Sequence, residues 1–264
     1  RDGIARLAAS DLSKYNIHDP DHPPPPPGYV LVIDQTRGDA AIAGGGASSA
    51  TFSEMLFCAA EEHPRARIVI RSHPETVSGL RPGHFDARAA TIAPGRIAFC
   101  DAPVSPHALL AGAVAVYTVS SQLGFEAILA GHRPVVFGRP FYAGWGLSDD
   151  RTGHVTRRGR KLTRVQLFAA AMILAPVWYD PCRDRLTDFE GALEQIEAEA
   201  RAWRQDHAGH RAHGIRLWKR PFMARFFGSG RGVRFVAKPG PGVTMAWAGR
   251  ADQVPGALRV EDGF

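Results

Sequence analysis

Short apolar runs rich in β-branched residues alternate with segments whose apolar residues recur at helical spacing. The strand-like runs cover residues 29–35, 66–75, 97–103, 114–119 and 133–138. The helix-like segments cover residues 51–63, 105–113 and 121–131; the first stops before Pro64, the second has Ser105 as its cap and the third ends at Gly131. This alternation predicts an α/β fold, a parallel sheet with helices on both faces.

Polar side chains gather where the predicted strands end. Ligands of such sheets bind outside the carboxyl ends of the strands, so side chains that follow different strands are expected to converge there. Three clusters meet this condition: Asp34, Gln35 and Asp39; Arg71, His73 and Glu75; and Ser120 with Ser121. Their shared location indicates a binding site more strongly than any one of them.

Ser120 and Ser121 stand where a strand gives way to a helix, followed by Gln122. Two hydroxyls beside the unpaired amides of a helix N-terminus make a seat for a phosphate. Glu126, one and a half turns further on, could accept hydrogen bonds from a ribose diol. The simpler interpretation is an N-capping serine and a solvated glutamate, and the pattern leaves both open.

His73 and the two aspartates of "DQTRGDAA" could carry chemistry. A histidine at a strand end could donate to a phosphate or a leaving group near neutral pH. Asp39 follows a glycine that permits a sharp turn, and its carboxylate could act as nucleophile or base, with Asp34 as the second candidate. Alternatively, the histidine is an ordinary loop residue and the aspartates cap the turn.

Composition narrows the class of protein. The 264 residues carry a net charge of +6, which suits a phosphate-bearing ligand, nucleic acid or an anionic membrane surface. Nucleic acid is disfavoured because the arginines are scattered and the aromatics cluster at loops. Reduced cytosolic thiols are the simplest interpretation of the three cysteines; no run of about 18 apolar residues, signal peptide, metal motif or GxGxxG order is present.

Two further segments have alternative interpretations. The loop "PFYAGWGL" could stack on a sugar or base, or could be a packed plug. The basic run at residues 157–161 is solvated charge by default, or a contact for phospholipid.

The chain is predicted to divide into four parts. Residues 1–28, with the rigid "DHPPPPPG", form a linker into the domain, and residues 29–205 form the sheet domain with C-terminal helices. Residues 206–214 are predicted to be a second linker, and residues 215–264 the start of another module that the fragment truncates.

The phrases "SKYN", "VLVIDQTRGDA", "RSHPE", "YTVSSQLGFEAILAG" and "VVFGRPFYAGWGLSDD" resemble the capsule polysaccharide biosynthesis and export proteins, the retaining β-Kdo glycosyltransferases. The resemblance covers roughly residues 10–190. It implies a GT-B-like glycosyltransferase fold with Rossmann-type halves and CMP-Kdo as the donor. It also implies tandem modules, each opened by a segment that ends in a phrase such as the closing "VEDGF".

The resemblance implies a role for each matching residue. His73, Ser120 and Ser121, with Gln122, would hold the CMP phosphate and Glu126 the ribose. Asp39 would be the nucleophile, Gln35 would position the sugar, and Lys14 and Asn16 would meet the Kdo carboxylate. Asp262 would be the acid/base of the second module. The family's "GDAS" reads "GDAA" here, so Ala41 replaces a serine.

The resemblance also implies partners and a location. The acceptor would be a lipid-linked capsule linker, used without a metal or other cofactor. The protein would be cytoplasmic and peripheral at the anionic inner-membrane surface, beside capsule assembly and export components. A transferase for another nucleotide sugar and a non-catalytic export component are the alternatives.

Overall fold

The computed structural model describes residues 2–153, 155–228 and 230–262. The chain forms two compact units, residues 1–193 and 194–264. The first contains a six-stranded parallel sheet with the strand order β3-β2-β1-β4-β5-β6. The strands are Tyr29–Ile33 (β1), Ile68–Arg71 (β2), Ile97–Cys100 (β3), Ala113–Thr118 (β4), Val135–Val136 (β5) and Asp149–Asp150 (β6). The order reverses between β1 and β4, which opens a crevice at their carboxyl ends.

Helices connect these strands, and the predicted caps form. Ser105 Oγ accepts a hydrogen bond from the Ala108 amide, and Gly131 ends its helix in the left-handed conformation with φ of 100°. The helices of this unit are Asp2–Ala9 (α1), Ala40–Gly44 (α2), Ser49–Glu62 (α3), Pro74–Val77 (α4), Pro106–Gly112 (α5), Gln122–Ala130 (α6) and Arg164–Phe168 (α7), with a 3₁₀ turn at Ala87–Thr91.

The core lies on both faces of the sheet because β1 alternates its side chains. Val30 and Val32 pack on one face with Phe52 of α3, in a cluster of fully buried residues. Leu31 packs on the other face with Leu109 of α5 and Ala127 of α6. Because β1 is buried on both faces of the sheet, its sequence is a continuous apolar run. The predicted α/β fold is confirmed.

The second unit has its own parallel sheet, in the order β10-β9-β11-β12. Its small core contains Ala212, Ile215, Met223 and Met245. The strands are His210–His213 (β9), Val233–Val236 (β10), Met245–Trp247 (β11) and Leu258–Val260 (β12); Phe189–Asp206 (α8) and Arg220–Phe227 (α9) are the helices.

Three expectations differ from the structure. The predicted linker at 206–214 contains β9, a strand with a neighbour on each side, and the two units divide at residues 193/194, within α8. The sequence did not predict β9, because three of its four residues are polar. In the structure, Ala212 and His213 of this strand are buried. The C-terminal helices predicted for the sheet domain form only in part, because α7 continues no further than the π-helical Ala169–Leu174.

The remaining differences concern the two ends of the first unit. Trp178–Asp180 (β7) pairs antiparallel with Arg185–Thr187 (β8), where the sequence predicted helix. Residues 1–28 are more than a linker, since they contain α1 and hydrogen bond to distant parts of the unit. No helix among the described residues is long and apolar enough to cross a membrane.

Candidate functional site

A cleft of about 510 Å³ lies at the carboxyl ends of β1 to β4, where the strand order reverses. Six separate parts of the first unit line it: the N-terminal segment, the residues that follow β1, β2, β3 and β4, and Phe141 after β5. The predicted site residues that line the cleft are Lys14, Asp34, Gln35, Asp39, His73, Ser120, Ser121, Gln122 and Glu126. The sheet therefore brings together the polar clusters that the sequence placed at separate strand ends.

Gln35 joins the loop after β1 to the loop after β4. Its Nε2 lies 3.1 Å from Ser120 Oγ and 3.3 Å from Asp39 Oδ2. Its Oε1 accepts a hydrogen bond of 2.9 Å from the Ser120 amide. The prediction for Gln35 was a contact with the sugar; the structure shows its amide bonded to protein groups.

Asp39 stands at the edge of the cleft as the N-cap of α2. Its Oδ1 accepts a hydrogen bond of 2.9 Å from the Ala41 amide. The side chain is half-buried, so the carboxylate is held in place while it still reaches the cleft. Both interpretations of Asp39 are therefore compatible with the structure: the carboxylate caps a turn and faces the space where a substrate would lie.

Ser121 is the N-cap of α6, and its Oγ accepts a hydrogen bond from the Leu123 amide. The helix start is fixed by Tyr142, which is fully buried and donates a hydrogen bond of 2.6 Å to the Ser121 carbonyl. Gly124 makes room for this tyrosine, because a Cβ at position 124 would overlap the Tyr142 hydroxyl and lie 2.8 Å from Thr118 Cγ2. These contacts hold the start of α6 in a fixed position at the cleft.

His73 is the N-cap of α4, and its Nδ1 accepts a hydrogen bond of 3.2 Å from the Glu75 amide. Because Nδ1 is an acceptor, the proton of the neutral ring is on Nε2. Burial lowers the pKa of the His73 imidazole, with the nearby Glu75 charge opposing the shift. Tyr15 packs edge-on against the ring at a centroid distance of 5.3 Å. His73 is thus a neutral hydrogen-bond donor at neutral pH.

Glu126 is buried rather than solvated, with 9% of its surface exposed. Its Oε2 accepts a hydrogen bond of 2.7 Å from Ser13 Oγ, and the Lys14 amide donates another. Burial raises the pKa of the Glu126 carboxyl, and the bonds from Ser13 and Lys14 oppose this. Glu126 therefore connects α6 to the N-terminal segment at the wall of the cleft.

The N-terminal segment is attached by a further set of polar contacts. Asp11 accepts hydrogen bonds from Ser105 Oγ at 2.5 Å and His18 Nε2 at 2.8 Å. His107 Nε2 donates to the Leu12 carbonyl at 2.8 Å. Burial acts to raise the pKa of Asp11, but hydrogen bonds from His18 and Ser105 outweigh it and hold the pKa below its ordinary value. These contacts fix the wall that carries Lys14 and Tyr15.

Asp34 has a structural position. Its carboxylate accepts hydrogen bonds from the amides of Gln35, His84 and Phe85 at 2.8, 3.0 and 3.4 Å. Burial raises the pKa of the Asp34 carboxyl, with the three amides opposing the shift. A carboxylate committed to three backbone donors is a poor nucleophile, so the geometry favours Asp39 over Asp34.

Two predicted residues are not among those that line the cleft. Asn16 closes the turn of the N-terminal segment: its Oδ1 accepts from the Ser13 amide at 2.9 Å and its Nδ2 donates to the Ser13 carbonyl at 3.1 Å. Asp262 belongs to the second unit, where its carboxylate accepts from Lys219 Nζ. By contrast, Lys14 is exposed and lines the cleft.

The structure adds residues that the sequence did not identify. Asp101 follows β3 and is exposed in the cleft, where its Oδ1 accepts a hydrogen bond of 2.5 Å from Ser72 Oγ. Ser13 and His18 also line it. Asp101 could have been found from the sequence, because it is a polar residue directly after a strand. Ser13 belongs to the "SKYN" phrase, although no role was predicted for it, and no local pattern marks His18.

The aromatic loop and the basic run after it form one packed element. Tyr142 is buried, while Phe141 is 49% exposed and lines the cleft. Arg158 Nη1 donates to the carbonyls of Pro140 and Ala143 at 2.6 and 2.7 Å. The loop is therefore mainly a plug with one aromatic ring at the cleft, and part of the basic run holds that plug.

A parallel sheet with this strand order, serines at a helix N-terminus and a cleft at the switch point define a Rossmann-type α/β unit. The family model of capsule polysaccharide biosynthesis proteins matches residues 3–176, and the chain belongs to this family. Among the described residues, no group of three or more His, Cys, Asp or Glu side chains is arranged to hold a metal ion.

Curated relatives agree with this assignment. The chain is 34% identical over 228 residues to the capsule polysaccharide modification protein LipA of Neisseria meningitidis serogroup B. This match covers 82% of this chain and 32% of LipA. It is 36% identical over 204 residues to the lipopolysaccharide-processing protein LpsZ of Rhizobium meliloti, covering 74% of this chain and 44% of LpsZ. The chain thus spans less than half the length of these relatives.

Solved structures show the same fold. The KpsC β-Kdo 2,4 transferase of Thermosulfurimonas dismutans superimposes with a TM-score of 0.67 at 34% identity, covering 74% of this chain and 61% of that chain. The KpsC β-Kdo 2,7 transferase of the same organism gives a TM-score of 0.57 at 25% identity, covering 74% and 59%. The predicted glycosyltransferase fold of GT-B type is confirmed by these neighbours.

Proposed function

We propose that the first unit binds CMP-Kdo as part of a retaining β-Kdo glycosyltransferase that acts on a lipid-linked capsule linker. The observation that carries the proposal is the convergence of Asp39, His73, Ser120, Ser121 and Glu126 on one cleft at the switch point. Both KpsC neighbours are β-Kdo transferases by name, and the matching family is named for capsule polysaccharide biosynthesis. The activity of a whole enzyme is proposed from these relatives, and this chain spans only part of their length.

The phosphate of CMP is proposed to lie at the N-terminus of α6. Its oxygens would accept hydrogen bonds from the hydroxyls of Ser120 and Ser121, from the Gln122 amide and from Nε2–H of His73. These donors need no titration at neutral pH, and the positive end of the helix dipole favours an anion. The leaving phosphate is therefore stabilised by protein donors in the proposal, and a chelator is expected to leave transfer unchanged.

The ribose hydroxyls are proposed to donate to a carboxylate of the cleft. Glu126 is the predicted acceptor, but its Oε2 already accepts from Ser13. Asp101 is an exposed carboxylate in the same cleft and offers a second acceptor. Comparing the two by substitution decides between them without assuming a particular pose.

Asp39 is the proposed nucleophile. Its oxygen would form a bond to the anomeric carbon of Kdo while the bond from that carbon to the CMP phosphate oxygen breaks, with the electron pair leaving on CMP. The acceptor hydroxyl would then displace the carboxylate from the opposite side and lose its proton to a general base. Two displacements retain the configuration of the sugar. Asp262 is proposed to serve the second module.

The location and partners remain part of the proposal. The net charge of +6 supports visits to an anionic inner-membrane surface on the cytoplasmic side, near capsule assembly and export components. A transferase that uses another nucleotide sugar, or a non-catalytic export component, would share the fold and differ in selectivity for CMP or in dependence on Asp39.

Calorimetric titration tests the nucleotide site. This chain is expected to bind CMP in preference to UMP and AMP, and Ser121→Ala is expected to weaken CMP binding about tenfold because a hydrogen bond to a charged group is lost. Glu126→Ala and Asp101→Ala are compared in the same way. Ser48→Ala is the matched control, since Ser48 also caps a helix but does not line the cleft.

The outcomes separate the candidates. Selective CMP binding with loss of Kdo transfer in Asp39→Ala full-length protein supports the transferase. Preference for another nucleotide favours a different donor, and Kdo transfer unaffected by Asp39→Ala contradicts the proposed nucleophile.

A further inference from the structure

The amide of Gln35 occupies a special position in the first unit. Only 4% of the residue is exposed, yet it lies at the carboxyl end of β1, at the floor of the cleft. It contacts two groups on either side of the crevice, Asp39 after β1 and Ser120 after β4. A buried polar side chain is retained in such a place when all its hydrogen-bonding groups are satisfied.

The hydrogen bonds fix which way the amide points. The Ser120 backbone N–H can only donate, so the atom that faces it at 2.9 Å is the Gln35 oxygen. Nε2 is then directed at Asp39 Oδ2 and Ser120 Oγ, which lie 3.3 and 3.1 Å away. One proton of the amide is available to each. Ser120 Oγ accepts from Nε2, and its own proton is directed either at Gln35 Oε1, 3.4 Å away, or into the cleft.

We propose that Gln35 is a positioning residue that holds the Asp39 carboxylate in a fixed place relative to the Ser120 hydroxyl. The inference rests on the proposed function, in which Asp39 is the nucleophile and Ser120 part of the phosphate seat. Gln35 acts through these two protein groups rather than on the sugar. The distance between the attacking oxygen and the leaving phosphate is then set by one side chain.

The residue type suits this role. A neutral amide supplies two donors and an acceptor, and adds no charge between a carboxylate and a phosphate. Glutamate has the same length, but it would turn the donors into acceptors and add a third negative charge. Methionine has a similar length without the hydrogen bonds. The two substitutions therefore separate the effect of charge from the effect of positioning.

The test uses the full-length enzyme with Gln35→Met and Gln35→Glu, each alone and combined with Asp39→Asn or Ser120→Ala. Transfer from CMP-Kdo gives kcat and KM, and calorimetry gives the affinity for CMP. Gln166→Met is the matched control, because Gln166 is an exposed member of the Thr163 capping box and lies outside the cleft. A crystal structure of Gln35→Met gives a readout that needs no ligand.

Gln35→Met is expected to lower kcat at least tenfold, and to have less than a twofold effect on the residual rate when Asp39 is already Asn. Gln35→Met is expected to weaken CMP binding about tenfold, as Ser120→Ala does. The double variant is expected to bind CMP no more weakly than either single variant. Gln35→Glu is expected to weaken CMP binding further. A merely structural role would lower stability without this dependence on Asp39 and Ser120.

Several results would overturn the inference. They are kcat and CMP affinity of folded Gln35→Met within twofold of the wild type, additive effects with both partners, or a crystal structure with Asp39 and Ser120 unmoved. Failure of the proposed function looks different: the wild type itself would transfer no Kdo or bind no CMP. In that case the crystal structure still decides whether Gln35 holds the two groups together.

Discussion

At the scale of single residues, similar side chains in the site have different surroundings. Asp34 and Asp39 are five residues apart in one loop. Asp34 is 3% exposed and bonds three backbone amides, whereas Asp39 is half-buried and faces the cleft. Their roles are therefore expected to separate when each is changed to the isosteric amide.

Asp34→Asn is expected to destabilise the protein by about 2 kcal/mol, because the amide nitrogen would face the Phe85 amide, a donor that needs an acceptor. Asp39→Asn is expected to change the free energy of unfolding by less than about 0.5 kcal/mol, since Asn is as good an N-cap as Asp. Urea denaturation measures both. Transfer activity is expected to fall to a small residual rate in Asp39→Asn. An Asp39→Asn variant that loses stability but keeps its activity, beside an Asp34→Asn variant that keeps its stability, would refute the argument.

Glu126 gives a pH-dependent prediction. Its pKa is raised by burial, so the folded protein binds its proton more tightly than the unfolded chain does. Stability is therefore lost as the pH rises from the unfolded pKa through the folded pKa, and the carboxylate is a cost at neutral pH. Glu126→Gln is expected to raise the melting temperature at pH 7 and to match the wild type near pH 3.

Melting temperatures measured between pH 3 and 8 test this expectation. Glu61→Gln serves as the control, because Glu61 is exposed on α3. If Glu126→Gln is less stable than the wild type at pH 7, the hydrogen bonds from Ser13 and Lys14 outweigh burial and the argument from desolvation is wrong.

At the scale of elements, the site depends on contacts that fix the start of α6. Tyr142 reaches over from the loop after β5 to bind the Ser121 carbonyl, and Gly124 is the residue that allows its approach. The N-terminal segment is held from the other side through Ser13 and Glu126. The geometry of the helix N-terminus is thus set by two segments that are distant in sequence.

Gly124→Ala is expected to destabilise the protein by about 1–3 kcal/mol, because the added methyl group overlaps Tyr142 and Thr118 in a packed core. The displaced tyrosine is also expected to weaken CMP binding. Gly159→Ala is the control, since a Cβ there meets nothing within 4 Å. Urea denaturation and calorimetry measure the two effects; equal stability of both variants would contradict the packing argument.

At the scale of the whole molecule, the two units have separate sheets and separate cores. Every residue lining the cleft belongs to the first unit, and α8 crosses the division at residues 193/194. A chain that ends within α8 would lose part of a helix, whereas one that ends after Asp206 keeps it whole.

The chain of residues 1–206 is expected to fold and to bind CMP within about twofold of the affinity of residues 1–264, because the residues of both clusters that cover the sheet lie before the division. Circular dichroism and calorimetry test this. A truncated chain that fails to fold, beside a longer chain that binds CMP, would show that the first unit depends on residues after 206.

Local patterns in the sequence were enough to predict β1 to β5, the helices α3, α5 and α6, and the caps of α5 and α6. They did not predict β6, α1, α2, α4 or the β7–β8 pair. Apolar runs, Ser105 before Pro106 and the stop at Gly131 each depend on a few neighbouring residues. The sequence also determined that the polar clusters share one edge, since parallel strands have their carboxyl ends on the same side. The predicted cleft follows from this rule.

The contacts of each polar residue depend on the tertiary structure, because their partners are distant in sequence. From the sequence, Asp39 was the first candidate nucleophile and Asp34 the second, and no local pattern indicated that the amides of His84 and Phe85 bind the Asp34 carboxylate. Gln35 received its partner Ser120 from a strand 85 residues away, and Glu126 its partner Ser13 from a segment 113 residues away. Local patterns carry no record of such pairs, because the residues meet only when the strands assemble in the order of the folded sheet.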